Sequence, residues 1–231
     1  VVQGSIVLPG AAYLEIALAA AEGIFGPGRH RVENVTFQQP MFLPEKQARP
    51  TQTVVTPEVG GSCSFEIMSR APDAEESAAW VTHAAGILRR GKSTQETNGV
   101  HAAIPFDLQK NFTLEHDRPT LYGKLADRSL QYGEAFQPIE HIWKRGQQTL
   151  AQLDIPGVLE KETPKFHIHP ALLDGVIQVL GSTIPEELVA SGTGETYLPT
   201  GIGELILYRP LASKMWAHAV VHTDFEKEGI H

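Results

Sequence analysis

One carboxylate is set among the apolar residues of the stretch His169-Pro170-Ala171-Leu172-Leu173-Asp174-Gly175-Val176-Ile177-Gln178. Pro170 suits the opening turn of a helix, where its missing N–H costs nothing, and Leu172, Leu173, Val176, Ile177, Val179 and Leu180 make that helix apolar on most sides. Such a helix is buried. A carboxylate on it must be paired, hydrogen-bonded or protonated, and Gln178 stands one turn later on the same face, within reach of Asp174. An acid held by an amide on a buried helix suits general-acid chemistry. The competing reading is a buried Asp pinned by Gln178 simply to fix the helix.

Other groups invite chemistry less strongly. His167 and His169, and His218 and His222, are spaced to share one face of a strand as metal ligands can, but neither pair has a convincing third ligand, so structural roles are expected. His83 falls in a strand-like run and reads as a satisfied core or edge residue. Glu15, the carboxylate of the first apolar helix, is either a rival acid or an exposed or capping side chain. Residues 86–93 fit the phosphate-binding pattern GxxxxGK[ST], yet the apolar pattern runs past Gly86 and 94–99 lacks helical periodicity, so no nucleotide site is expected. Cys63 is the one cysteine; it excludes an intrachain disulfide, fits a reducing cytoplasm and reads as an inert thiol.

These residues must be positioned by two similar series of elements. Residues 11–25 predict a buried helix between Pro9-Gly10 and Gly26-Pro27-Gly28, followed by strands at 32–42, 52–56, 64–68 and 80–88. A polar lapse follows. The second series predicts a short helix at 120–126, strands at 135–143 and 148–153, the Asp174 helix to about 181, and strands at 203–208 and 215–223. At 231 residues, 42% hydrophobic and with a net charge of -8, the chain can bury a large core and carries no basic footprint for nucleic acid. The apolar stretch 6–25 lacks a basic flank and contains Glu15 and Glu22, which argues against a signal peptide or a membrane span.

The Asp174 segment resembles the HPxLLDxxxQ signature of polyketide synthase dehydratase domains. Agreement extends in order to Gly4–Pro9 with the following Gly10-Ala11-Ala12-Tyr13-Leu14-Glu15, to WxxHAxGxL over 80–88, to Tyr132-Gly133-Glu134-Ala135-Phe136-Gln137, and to Leu198-Pro199. The resemblance implies an α+β double hotdog, two fused halves each made of an antiparallel sheet wrapped around a central helix. The halves would span 1–92 and 119–231, joined by a linker at 93–118. It implies Asp174, Gln178 and Tyr132 as catalytic residues, and Gly4, Pro9, Gly10, Phe136, Leu198, Pro199 and His169 as substrate-binding ones. Free N–H groups at Gly10 to Ala12 would face the thioester oxygen. The family's base, a histidine four residues ahead of the glycine of HxxxGxxxxP, would fall immediately before Val1, so the chain reads as an incompletely represented domain.

The implied reaction is loss of water from a β-hydroxyacyl thioester, with no metal or other cofactor. The implied partners are an acyl carrier protein bearing the substrate on phosphopantetheine, neighbouring synthase domains and a second copy of the domain, with no nucleic acid or membrane. Arg89, Arg90 and Lys92 are the basic residues available to attract an acidic carrier. Two other readings stay open: a pyran-forming cyclase or double-bond isomerase on the same fold, and an inactive docking module.

Overall fold

The computed structural model describes residues 4–75, 77–91, 109–184, 199–208 and 214–222. Pro9 is extended and opens α1 (Gly10–Phe25), in which Ala12 N–H already bonds Pro9 O at 2.9 Å. The helix ends where Gly26 takes φ 78°, a conformation that favours glycine, and its N–H closes on Glu22 O. Ala11, Tyr13, Leu14, Ala17, Leu18 and Ala21 form the buried face of α1.

That face packs on a sheet built from β1 (His30–Phe37), β2 (Thr51–Pro57), β3 (Cys63–Ser69) and β4 (Val81–Arg90). In β3 the buried residues Cys63, Phe65, Ile67 and Ser69 alternate with less buried ones, the period-two pattern of a sheet with one covered face. Burying a side chain the size of Phe65 or Leu14 stabilises the fold by about 1.5–3 kcal/mol, so this interface is the main anchor of the first half. β1 stops at Phe37, short of the expected 42. Pro40 cannot donate to a ladder, and the chain beyond β1 turns to pair with the N-terminal segment instead: Leu8 N–H to Met41 O at 2.9 Å and Leu43 N–H to Ile6 O at 2.9 Å.

The second sheet runs in the order β5 (Thr113–Asp117), β6 (Ile139–Arg145), β7 (Gln148–Asp154), β9 (Lys214–Val220), and every pairing is antiparallel. β5 lies inside the stretch expected to be linker. Thr113-Leu114-Glu115-His116-Asp117 has no buried alternation, and only its pairing with β6 makes it a strand. Asp117 then caps α2 (Arg118–Asp127) through Thr120 N–H at 3.1 Å, with Pro119 in the first turn. The strand expected from 135 begins at 139, because Glu134–Phe136 forms one 3-10 turn ahead of Pro138.

α3 (Pro170–Gly181) is the second long buried helix and packs on β7 and β9. Its Leu173 and Ile177 join the core around α1, whereas Val176 and Val179 join the core of the second sheet. The helix that carries Asp174 therefore belongs to both cores. A further crossing comes from β8 (Gly201–Ile206), which extends the first sheet to the order β2-β3-β4-β1-β8 although it follows α3 in sequence. Two antiparallel sheets, each holding one buried helix, form the expected double hotdog. No helix among the described residues is long and apolar enough to cross a membrane.

Candidate active site

α3 starts at His169, whose Nδ1 accepts the Ala171 N–H at 3.2 Å, and Pro170 follows in the first turn. The imidazole thus caps the helix as an acceptor. Burial lowers its pKa, against the pull of Glu162 and Glu15, so the neutral ring the cap needs is favoured. Gly175 lets the helix approach the second sheet closely. A Cβ at this position would lie 2.3 Å from Cγ of Pro138 and 3.3 Å from Cδ2 of Leu153.

Asp174 precedes that contact, and its Oδ2 accepts from Gln178 Nε2 at 2.8 Å. The Gln178 amide is itself held on three sides. Its Nε2 also donates to Phe136 O at 3.2 Å, and its Oε1 accepts from the hydroxyl of Tyr122 at 2.9 Å. The Tyr122 oxygen in turn accepts Ile139 N–H at 3.4 Å. This chain of bonds assigns the amide: oxygen toward Tyr122, nitrogen toward Asp174. Burial raises the Asp174 pKa above the ordinary carboxylate value, and the Gln178 bond offsets only part of that. A carboxyl group with these properties holds its proton to a higher pH and can deliver it.

Tyr132 stands beside this group, its ring edge-on to Tyr122 with centroids 5.9 Å apart. Burial pushes its hydroxyl up to about 12, with the nearby Asp174 charge adding to the effect, so the phenol stays a hydrogen-bond donor. Its backbone carbonyl accepts from Gln137 Nε2 at 2.7 Å, which closes the 132–137 loop that delivers the Phe136 carbonyl to Gln178. Asp174, Gln178, Tyr132 and Phe136, expected together from the sequence, are together. Tyr122 was not anticipated. Its one available signal is its place beside Leu121 on the buried face of an otherwise polar helix, and nothing in that spacing tells what the hydroxyl would touch.

The remaining candidates are distributed elsewhere. Gly4, with φ 81°, Pro9 and Gly10 lead into α1 on the first half, and Ala12 N–H is already spent on Pro9 O. Pro199 is exposed just before β8, and Leu198 lies outside the described residues, as does Lys92. Arg89 is paired with Glu33 at 2.8 Å and Arg90 donates to Phe25 O, so both are engaged within the first half. Gly86 lies inside β4, which continues to Arg90, so the strand does not end where a phosphate-binding loop requires.

His83 is a buried structural residue. Its Nδ1–H donates to Gln39 O at 3.0 Å, its Nε2 accepts from the Ser69 hydroxyl at 2.6 Å, and Ser69 Oγ accepts from Arg49 Nε at 2.7 Å. His167 contacts two glutamates and His218 contacts Gln148. Among the described residues no group of three or more His, Cys, Asp or Glu side chains could hold a metal ion.

The family model of the polyketide synthase dehydratase N-terminal domain matches residues 105–231, and that of the polyketide synthase dehydratase domain matches residues 1–70. The chain belongs to the polyketide synthase dehydratase family. Its class of chemistry is accordingly that of a hydro-lyase. The domain is 34% identical over 178 residues to polyketide synthase GfsE of Streptomyces halstedii, which covers 77% of this chain and 4% of that synthase. It thus spans a small fraction of that relative's length. The dehydratase domain of the CurF module of curacin polyketide synthase superposes with a TM-score of 0.83 at 29% identity, covering 97% of this chain and 78% of that one. The CurK dehydratase is also similar. Its inactive histidine-to-phenylalanine mutant gives a TM-score of 0.80 at 27% identity, over 96% of this chain and 75% of that one. Its inactive aspartate-to-asparagine mutant gives 0.76 at 26%, over 95% and 74%.

Proposed function

We propose that this dehydratase domain eliminates water from a β-hydroxyacyl thioester carried on the phosphopantetheine arm of an acyl carrier protein, with Asp174 as the general acid. The observation that carries the reading is the buried Asp174 carboxyl, raised in pKa and oriented by Gln178. The inactive aspartate and histidine mutants of the CurK dehydratase support an acid and a base of these two types.

In the proposed reaction the base removes the α-proton, the electron pair forms the α,β double bond, and the β C–O bond breaks as Asp174 protonates the departing oxygen. Water leaves. The base carries the abstracted proton, and Asp174 regains its own from solvent. By resemblance the base is a histidine four residues ahead of Gly4, on the half opposite to Asp174. Helix geometry leaves the Gly10 and Ala11 N–H groups at the opening of α1 to polarise the thioester carbonyl, since Ala12 N–H is used by Pro9 O. Tyr132 donates to the substrate oxygen, and Pro9, Phe136 and Pro199 border the acyl chain. His169 serves this site by capping α3.

The elimination calls for no cofactor. The carrier protein, neighbouring synthase domains and a second copy of the domain are the proposed partners, and the cytoplasm is the proposed compartment. Residues 1–92 and 113–231 are the proposed halves, the second starting at β5 rather than at 119 because that strand pairs in its sheet, with β8 contributed by the second to the sheet of the first. The test is incubation of the full-length protein with a β-hydroxyacyl carrier protein and mass analysis of the acyl group. Loss of one water with a new double bond is the expected result; a cyclised or double-bond-shifted product, or no change, would overturn it.

A further inference from the structure

Glu15 is buried in α1 among Ala11, Ala12, Leu14 and Leu18, where a carboxylate is costly unless its oxygens are fully bonded. They are bonded, and to residues far away in sequence. Oε1 accepts the backbone N–H of His167 at 2.9 Å and Oε2 accepts that of Ile168 at 3.0 Å. The consecutive amides held by this fork belong to the residues that immediately precede His169, the cap of α3. The expectation of an exposed or capping Glu15 is therefore corrected: the spacing of α1 shows only that Glu15 sits on an apolar helix, not that the second half brings two amides to it.

We propose that Glu15 is a positioning residue for Asp174, clamping the backbone ahead of α3 to α1 and so setting the register between the two central helices. This rests on the reading of Asp174 as the acid. Acid and base then stand on opposite halves, and a displacement of α3 of about 1 Å along α1 would change the gap between them enough to slow the reaction on the order of a hundredfold. Ile168 and Leu173 reinforce the clamp by burying in the core around α1. Gln178 and Tyr122 fix the carboxyl within its own half, whereas Glu15 ties the backbone ahead of α3 to the other half.

The His167 ring lies beside the clamp without forming part of it. Its Nδ1 lies 3.2 Å from Glu15 Oε1 and its Nε2 lies 2.7 Å from Glu22 Oε2, on the same face of α1. Burial disfavours its charge, but the bonds to Glu15 and Glu22 outweigh that and raise its pKa. The two backbone bonds do not need the imidazolium; they need the Glu15 carboxylate. Among the described residues the Glu22 carboxylate bonds the ring and not the backbone ahead of α3, and it is the natural control.

The experiment compares wild type, Glu15→Gln, Glu15→Asp and Glu22→Gln in the full-length protein. Turnover of a β-hydroxyacyl thioester is followed together with hydrogen exchange of peptides spanning 166–176. An amide at position 15 can accept at only one of its two atoms, so Glu15→Gln is expected to lower kcat about tenfold or more with KM within about twofold. It should also speed exchange over the first turns of α3, not only at His167 and Ile168. Glu22→Gln should leave kcat within about twofold of wild type. Should Glu15→Gln fail to fold, Glu15→Asp keeps the charge but retracts it, and is expected to show the same kcat loss. An active wild type with unchanged kcat in both Glu15 variants would overturn the clamp and leave the dehydratase reading standing. A wild type without turnover would overturn that reading, and unchanged exchange over α3 in Glu15→Gln would then overturn the clamp on its own.

Discussion

Whether Asp174 can hand over a proton is decided by how poorly its charge is solvated. Burial raises its pKa, so the folded state binds a proton that the unfolded chain has already lost, and folding stability is greatest below the ordinary carboxylate value and declines as pH rises through the folded one. The slope over that interval is about 1.4 kcal/mol per pH unit. Asp174→Asn keeps the shape and the Gln178 bond while removing the charge. It is expected to abolish water elimination and yet to raise the melting temperature at pH 7–8, with the advantage vanishing below about pH 4, as thermal scans across pH would show. Tyr122→Phe is expected to lower turnover about tenfold and to cost roughly 1–3 kcal/mol, because the Gln178 oxygen loses its donor and Ile139 N–H its acceptor. Gln178→Ala should cost at least as much in stability, about 1–3 kcal/mol or more, because it strips a bond from Tyr122, Phe136 and Asp174 at once, with a similar loss of rate. Full activity in both variants would show the network to be structural only.

At the scale of elements, the site depends on how closely α3 can lie against the second half. Gly175 sits against Pro138, whose ring cannot swing aside as a flexible chain would. Gly175→Ala is therefore expected to destabilise the fold by about 1–3 kcal/mol and to reduce turnover as α3 lifts away from the 132–137 loop. Pro138→Ala in the same chain should recover part of both losses, and a double-mutant cycle on denaturation midpoints checks the coupling. α3 itself was legible. Pro170, the apolar run through Leu180, and the Asp174–Gln178 spacing all predict the helix that is found. α2 was legible as a helix but not as part of the site, because the Tyr122 partner is 56 residues away in sequence. β5 was not legible as a strand, since its polar residues carry no periodic signal and pairing with β6 supplies it.

For the whole molecule, the balance of histidines sets the response to pH. Burial lowers the pKa of His30, His83 and His169, so their contribution to stability is present above about 6.5 and is lost as pH falls below it. His167 has the opposite sign: its contribution is present below about 6.5 and is lost as pH rises through its elevated folded value. Melting temperature is expected to fall on acidification from pH 6.5 to 5, less steeply in His83→Gln, whereas His167→Gln should weaken the decline that wild type shows as pH rises above about 6.5. Equal slopes in wild type and both variants would show that these rings do not carry the transition.

The sequence by itself determined the placing of Asp174 and Gln178 one turn apart on a buried helix, both buried helices, most strands and, through ordered motifs, the family. Those features are local: a proline at a helix start, an apolar period, a carboxylate one turn from a glutamine. Only the tertiary structure decided what joins the halves. It set β8 beside β1, divided α3 between two cores, brought Tyr122 to Gln178 and laid the Glu15 carboxylate under the amides of His167 and Ile168. A side chain's type and spacing record the surface it needs to bury and the bonds it needs to make. They do not record which distant segment supplies the partner, because that is settled by the joint packing of both halves.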